Sequence, residues 1–301
     1  MNLSTTVDLA ELNDRRTRDP GLIGRLWATR TRRELLGDDG RLLIVACDHP
    51  ARGALGVRKD AMAMASRADT LARLATALSR PGVDGVLGTA DVLEDLLLMG
   101  ALEGKVVIGS MNRGGLQQGV WELEDRFTGY TADAIHRYGL DGGKMLTRIA
   151  LDDPGTAPTL QWSAEAINDL ARRGTMAMVE PFWSFRRDGR VVNQLDADSV
   201  IRSVHVAQGL GETSAYTWLK LPVVEEMERV MQATTLPTLI LGGDPTGDPE
   251  ETYEQWRKAL KVNSVRGLVV GRALLWPQAG DVCAAVDLAS EMVHAGQGGA
   301  V

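Results

Sequence analysis

The chain has 301 residues, a formal net charge of −7 and two cysteines, Cys47 and Cys283. The negative charge argues against general affinity for nucleic acids and anionic membranes, because both require a basic surface. The cysteines lie far apart without CxxC spacing, which indicates neither a disulfide framework nor a zinc knuckle. We find no apolar run of about 18 residues and no secretory signal, so we expect a cytoplasmic protein.

An amino-terminal segment precedes a regular alternation of apolar runs and amphipathic segments. Residues 1–40 are predicted to be a helical extension, with one or two helices over 6–38 that cover the bottom of the following domain. Residues 295–301 are predicted to be a flexible tail. The apolar, β-branched runs that predict strands occupy residues 41–49, 83–89, 105–112, 142–149, 174–182, 216–223, 237–244 and 266–276.

Six segments between these runs carry apolar residues at three- and four-residue spacing, which predicts helices. Ser163 and Asp196 are predicted to cap two of them. Residues 183–195 form a longer insertion after the fifth run. The helical segments are residues 61–79, 90–99, 163–173, 196–209, 224–232 and 248–261.

Strands that alternate with crossover helices are parallel, and eight such units suit one closed (β/α)₈ barrel over residues 41–294. The alternative is an open, doubly wound sheet. That sheet usually has a glycine-rich first turn, which this sequence lacks.

Charged residues stand at the ends of the predicted strands, where the active site of a barrel lies. Asp48 ends the first strand, Lys144 lies in the fourth, Glu180 ends the fifth and Lys220 ends the sixth. Arg113 follows the third strand. We expect the two lysines and the two acids to face one cavity and to be catalytic.

A lysine in an apolar strand is costly to bury in its charged form. Desolvation, or a second ammonium nearby, lowers its pKa and exposes the amine lone pair. One of Lys144 and Lys220 is then the nucleophile, while the other stays cationic and orients a substrate hydroxyl or carboxylate. Glu180 is the candidate for proton transfer.

A structural role is the alternative for each residue. In that case the lysines only pair with acids inside the barrel. Asp48 then holds one lysine by a salt bridge instead of binding a substrate hydroxyl or serving as the base. His49 contacts the substrate or only makes a structural hydrogen bond. We also place Arg52 among the substrate-binding candidates.

Glycines follow the seventh and eighth strands, where barrels commonly build phosphate sites from backbone amides. The candidates are Gly242, Gly243, Gly271 and Arg272, whose guanidinium group adds a bidentate clamp. The alternative is that these are turn glycines beside a surface arginine.

Other chemistries lack their motifs. The four histidines form neither HxH nor HxxxH, so a zinc-dependent mechanism has little support. GxSxG and GxGxxG are absent, and the sequence GLDGGK at 139–144 departs from a P-loop in its spacing and in the methionine after the lysine. We expect no metal and no other cofactor.

The motifs in this order resemble the class I (Schiff-base) aldolases of the DeoC/FbaB/LacD-type superfamily. Within it, the resemblance is to the DhnA-type fructose-bisphosphate, tagatose-bisphosphate and sulfofructose-phosphate aldolases, over residues 40–276. The motifs are VACDHPARG at 45–53, GGKML at 142–146, VEP at 179–181, WLKLP at 218–222, LILGGD at 239–244 and VVGRALLW at 269–276.

The resemblance implies that Lys220 is the Schiff-base lysine, Lys144 the second lysine, Asp48 the acid of the first strand and Glu180 the acid/base group. It also implies that the glycines and Arg272 hold a phosphate or sulfonate. Some members of the family use a tyrosine near the fourth strand for proton transfer, and this sequence has none there. The resemblance further implies a homo-oligomer that acts in carbohydrate metabolism.

The sequence departs from the family in the run Asp48–Arg52 and in the arginines of the insertion, Arg186, Arg187 and Arg190. Extra arginines would suit a substrate carboxylate. We therefore expect a lyase that cleaves or forms a phosphorylated ketose or a sugar-acid phosphate, such as 2-deoxy-5-keto-gluconate 6-phosphate. The alternatives are a metal-free phosphosugar isomerase or epimerase that uses Glu180 and Asp48, and a non-catalytic sugar-phosphate-binding barrel.

Overall fold

The computed structural model describes residues 6–243 and 247–294, so the predicted tail at 295–301 lies outside the described residues. Each of the eight predicted runs contains one strand of a parallel barrel, and a short ninth strand lies outside it. The strands are β1 (Leu42–Cys47), β2 (Gly85–Gly88), β3 (Val106–Ser110), β4 (Gly142–Ile149), β5 (Met176–Arg187), β6 (Arg190–Asn193, outside the barrel), β7 (Thr217–Pro222), β8 (Thr238–Leu241) and β9 (Val265–Val270).

The sheet closes on itself. Its order runs from β4 through β3, β2, β1, β9, β8 and β7 to β5, and β5 pairs again with β4 from Gly142–Met176 to Ile149–Trp183. The predicted (β/α)₈ barrel is confirmed. The open sheet is excluded because a doubly wound sheet has two free edges.

Helices surround the barrel, and the six predicted ones are present. The sequence did not predict α5, which has only six residues and is too short for a periodic signal. The helices are α1 (Leu9–Arg18), α2 (Leu22–Thr29), α3 (Arg67–Leu78), α4 (Ala90–Leu98), α5 (Ala132–Arg137), α6 (Thr156–Ala171), α7 (Ala197–Gln208), α8 (Met227–Met231), α9 (Pro249–Leu260), α10 (Arg272–Leu275) and α11 (Val282–His294).

The two predicted helix caps have different outcomes. Asp196 caps α7, where its side chain accepts a hydrogen bond from the Ser199 amide. Ser163 does not cap α6, because that helix begins at Thr156 and Ser163 is buried in its middle. Its hydroxyl lies 3.0 Å from the Thr147 hydroxyl, so it joins the helix to β4 instead.

The insertion after the fifth strand is a β-hairpin. β5 continues to Arg187 and pairs antiparallel with β6. Asp188 and Gly189 between them have φ angles of 51° and 74°, and Asp-Gly favours such turns because both residues tolerate a left-handed backbone. This hairpin extends β5 above the mouth of the barrel.

Strand side chains alternate between the barrel interior and the surrounding helices. In β1, Leu42, Ile44 and Ala46 belong to the inner cluster, whereas Leu43 packs with the helices. The same alternation carries on to Asp48, which lines the cavity at the mouth of the barrel. The period of two therefore selects which charged residues reach the interior.

The segment before β1 packs against the side and the bottom of the barrel. Helix α2 contacts α4. The buried guanidinium group of Arg30 donates to the carbonyl oxygens of Lys105 at 2.8 Å and of Gly139 at 3.0 Å. Leu35 packs against the inner cluster beside Met176 and Trp218, at the amino-terminal ends of β5 and β7.

Within the described ranges, no helix is long and apolar enough to cross a membrane.

His294 at the end of α11 joins the last helix to the base of the barrel. Its Nδ1 lies 2.5 Å from Asp39 Oδ2, and its Nε2 lies 3.3 Å from Asp84 Oδ2. The hydrogen bond with Asp84, together with Asp39, raises the pKa of His294 to about 9 although burial opposes the charge. A charged His294 therefore stabilises the folded chain at neutral pH.

We predict that His294→Gln lowers the free energy of unfolding by roughly 2 kcal/mol at about pH 6 and by much less at about pH 10. The folded pKa is raised, so this contribution is complete below the unfolded value of about 6.5 and is lost as the pH rises through about 9. Urea unfolding at both pH values measures it. His136→Gln, on an exposed position of α5, is the control. Equal losses in the free energy of unfolding from His294→Gln at both pH values would show that the charge on His294 does not contribute to stability.

Candidate active site

Two lysines and two carboxylates meet at the carboxyl ends of the barrel strands. Lys220 Nζ on β7 lies 2.5 Å from Glu180 Oε1 on β5. The other carboxylate oxygen of Glu180 contacts Lys144 Nζ on β4. Lys144 Nζ also lies 3.3 Å from Asp48 Oδ2, just beyond β1. Glu180 therefore bridges the two amines.

A guanidinium group completes this buried cluster. Arg113, beyond β3, pairs with Asp48 and donates from Nε to the Ser110 hydroxyl at 3.1 Å. Burial lowers the pKa of Arg113 to about 10, which leaves it charged at neutral pH. The sequence marked Arg113 as a strand-end residue but not as a candidate, because only the structure shows that it holds Asp48.

Burial and nearby positive charges favour the neutral form of both lysines. Burial, then Arg113 and Lys220, lower the pKa of Lys144 well below its ordinary value. Burial lowers the pKa of Lys220 as well, against the opposing effect of Glu180. Burial alone would raise the pKa of Glu180, but Lys144, Lys220 and Arg113 together hold it well below the usual range. Glu180 is thus a carboxylate at neutral pH.

Access distinguishes the two lysines. A cavity of about 500 Å³ opens at the mouth of the barrel. Lys220 lines this cavity together with Asp48, Glu180 and Arg113. Lys144 is fully buried and is not part of the cavity wall, so its amine lies behind Glu180. A ligand in the cavity reaches Lys220 and not Lys144.

The predicted binding residues after β1 also line the cavity. His49 Nδ1 lies 3.9 Å from Asp48 Oδ1 without a hydrogen-bond partner among the described residues. Burial, with Arg272 and Lys220 nearby, lowers the pKa of His49 well below 6.5, so its ring is neutral. Arg52 lies on the same wall, and its Nη1 is 3.8 Å from Glu122 Oε1.

Gly242, Gly243, Gly271 and Arg272 line the cavity on the side of β8 and β9. Gly243 has a φ of +66°, which a side chain would strain. A Cβ atom on Gly271 would overlap the backbone oxygen of Ala46. β9 ends at Val270 and α10 begins at Arg272, so Gly271 and Arg272 follow the last strand, although the apolar run itself was predicted to extend to residue 276.

The hairpin contributes to the wall with Val191 and Asn193, and Leu195, two residues beyond its end, also lines the cavity. Its arginines are not part of the wall. Arg186 instead pairs with Asp153 at 3.2 Å, and Arg187 stacks on a neighbouring phenyl ring. The expectation that the arginines of this insertion serve the substrate is therefore not supported by their positions.

The sequence reasoning missed a second charged cluster. Arg148 lies four residues after Lys144 in β4. Because strand side chains alternate with a period of two, the sequence places both side chains on the inner face of the strand. Its Nε donates to Asp125 Oδ2 at 3.0 Å, and its Nη1 lies 3.4 Å from Glu122 Oε1. Both acids come from the long connection after β3, whose path the sequence does not indicate.

A family model described as Cgl0159-like matches residues 40–290. The crystal structure of Cgl0159 from Corynebacterium glutamicum (Brevibacterium flavum) is similar to this chain at 53% identity and a TM-score of 0.93, covering 95% of this chain and 96% of that one. No match was found among proteins with curated descriptions.

More distant structures share the fold. An archaeal fructose-1,6-bisphosphate aldolase, with its catalytic Lys covalently bound to the carbinolamine intermediate, has a TM-score of 0.65 at 17% identity over 90% of this chain and 99% of its own. The fructose-bisphosphate aldolase from Slackia heliotrinireducens has a TM-score of 0.56 at 13% identity over 100% and 98%. The family model spans most of the barrel, and the chain belongs to the Cgl0159-like family.

Proposed function

We propose that this protein is a class I aldolase, a carbon–carbon lyase that acts on a phosphorylated ketose or a sugar-acid phosphate through an imine on Lys220. The observation that carries the proposal is the position of the Lys220 amine. Among the described residues it is the lysine that lines the cavity, its pKa is lowered by burial, and a carboxylate lies 2.5 Å from it. A neutral, accessible amine beside a base is what imine formation requires.

Imine formation uses Lys220 and Glu180. The neutral amine adds to the substrate carbonyl carbon, and Glu180 accepts the proton that the nitrogen loses. Glu180 passes that proton to the alkoxide oxygen, which gives the carbinolamine. Glu180 then delivers a second proton, taken from solvent, to the carbinolamine hydroxyl, which leaves as water and forms the iminium. The ionised state of Glu180 suits the first transfer, and the bridge to Lys144 holds the carboxylate in place for the second.

Cleavage follows because the iminium group accepts an electron pair. The bond between the α and β carbons of the substrate breaks. The hydroxyl on the β carbon gives its proton to a carboxylate of the cavity, Glu180 or Asp48, as that carbon becomes the aldehyde. Asp48 lines the cavity and is placed to orient that hydroxyl, and Lys144 holds the Asp48 carboxylate from behind. The resulting enamine is protonated, and water hydrolyses the imine to free Lys220. The archaeal aldolase with a carbinolamine on its catalytic Lys supplies a precedent on the same fold.

The phosphate of the substrate binds beside β8 and β9 in this proposal. Gly243 and Gly271 leave the backbone there without side chains, and Arg272 supplies a positive charge to the same wall. A phosphorylated sugar acid such as 2-deoxy-5-keto-gluconate 6-phosphate has the required ketone next to a phosphate. Related ketose phosphates have the same arrangement.

We predict that sodium borohydride fixes the substrate to Lys220. The purified protein is incubated with a panel of phosphorylated ketoses and sugar-acid phosphates, reduced, and examined by intact mass and peptide mapping. The expected adduct has the mass of the ketone-derived fragment or substrate, less one oxygen, and maps to Lys220. Lys220→Met removes it, whereas Lys59→Met, at an exposed lysine, leaves it unchanged.

An adduct on Lys144 would contradict the assignment of Lys220 as the reactive lysine, which rests on the access of its amine to the cavity. Turnover that persists in Lys220→Arg would instead favour an isomerase or epimerase that uses Glu180 and Asp48. Saturable binding without turnover or adduct would favour a sugar-phosphate-binding barrel.

We predict that Glu180→Gln changes both the maximum rate of adduct formation and its pH dependence. Loss of the proton carrier lowers the maximum rate about 10²- to 10⁴-fold. Loss of the negative charge also lowers the pKa of Lys220 further, because Glu180 now raises it. The rising limb of the pH–rate profile therefore moves to lower pH, as single-turnover trapping over a pH series measures. A slower rate with no shift would mean that Glu180 does not act on the amine.

A further inference from the structure

The mouth of the barrel has two polar sides. In an eight-stranded ring with the order observed here, β3 and β4 stand four strands away from β8 and β9. The glycines and Arg272 follow β8 and β9, whereas Arg148 lies at the end of β4 and Glu122 follows β3. Lys220 lies on a strand between these two sides, so a ligand on its amine extends toward both.

Arg52 reaches the side of β3 and β4 and has an unused donor there. Its Nη1 is shielded from solvent and makes no hydrogen bond among the described residues, since the 3.8 Å to Glu122 Oε1 is too long for one. Arg113 and Arg148, by contrast, are hydrogen-bonded to Ser110 and Asp125 and paired with acids. A shielded guanidinium nitrogen without an acceptor is unfavourable, and a bound ligand oxygen would relieve it.

The charge on this side selects the kind of ligand. Three guanidinium groups face three carboxylates, and the acids nearest to Arg52 are Glu122 and Asp125. Glu180 also acts on Arg52. Because positive charge is not in surplus here, a phosphate dianion would add two uncompensated negative charges, whereas a carboxylate adds one. A carboxylate carries a single charge and matches the planar fork of an arginine.

We propose that Arg52 binds a carboxylate at the end of the substrate opposite the phosphate, so that the aldehyde released on cleavage is an aldehydo acid. This inference rests on the proposed aldolase function, which places the ketone at Lys220. It assigns to Arg52 the role that the sequence had suggested for the arginines of the hairpin. Arg52 is then the residue that distinguishes a sugar-acid phosphate from a sugar bisphosphate.

The test runs the reaction in the direction of synthesis, with dihydroxyacetone phosphate as the ketone and a pair of three-carbon acceptors. 3-Oxopropanoate carries the carboxylate, and 3-hydroxypropanal is its neutral counterpart. We expect the wild-type protein to prefer 3-oxopropanoate in kcat/KM by about 10-fold or more, as a charge-assisted hydrogen bond implies. Arg52→Gln removes most of that preference, and Arg52→Lys restores part of it. Arg190→Gln, at an exposed position of the hairpin, retains it.

Two results would overturn the inference while leaving the aldolase in place. Equal losses with both acceptors in Arg52→Gln would mean that Arg52 only supports the fold. A wild-type preference for glyceraldehyde 3-phosphate over 3-oxopropanoate would mean that this side binds a phosphate. Borohydride trapping of dihydroxyacetone phosphate on wild-type Lys220 separates the two proposals. Trapping without a preference for the carboxylate acceptor overturns only the role of Arg52. The absence of trapping overturns the proposed aldolase function, on which the role of Arg52 rests.

Discussion

The site depends on the burial of five ionisable side chains at one end of a closed barrel. Taking a charge out of water costs several kcal/mol unless partners compensate it, so each group must contact an opposite charge. The Glu180 carboxylate contacts both lysines, and the Asp48 carboxylate contacts Arg113 and Lys144. The same compensation ties the ends of five strands together, β1, β3, β4, β5 and β7, and fixes where each amine points.

This arrangement separates two lysines that are alike in sequence. Both are buried in strands, and burial lowers the pKa of both. Lys144 is enclosed between Glu180 and Asp48, whereas Lys220 has carboxylate on one side and cavity on the other. Reactivity at the proposed site thus follows from access as much as from proton affinity.

Parts of the cavity wall come from connections rather than from strands. The hairpin of β5 and β6 adds apolar residues, and the connection after β3 brings Glu122 and Asp125 beside Arg148. Loops placed by a rigid barrel commonly carry such differences between proteins of one fold. The barrel of this chain thus carries a cavity wall that includes charged pairs from its loops.

The sequence by itself determined the barrel, because eight apolar runs and their crossover helices leave few other topologies. The sequence also determined that Asp48, Lys144, Glu180 and Lys220 lie close together. Their positions in or just after the strands place their side chains at the same end of the barrel. Tertiary structure decided what local patterns do not encode: the enclosure of Lys144, the pairing of Arg113 with Asp48, and the unsatisfied donor of Arg52. Those features depend on contacts between residues far apart in the chain, and no periodicity within one segment specifies them.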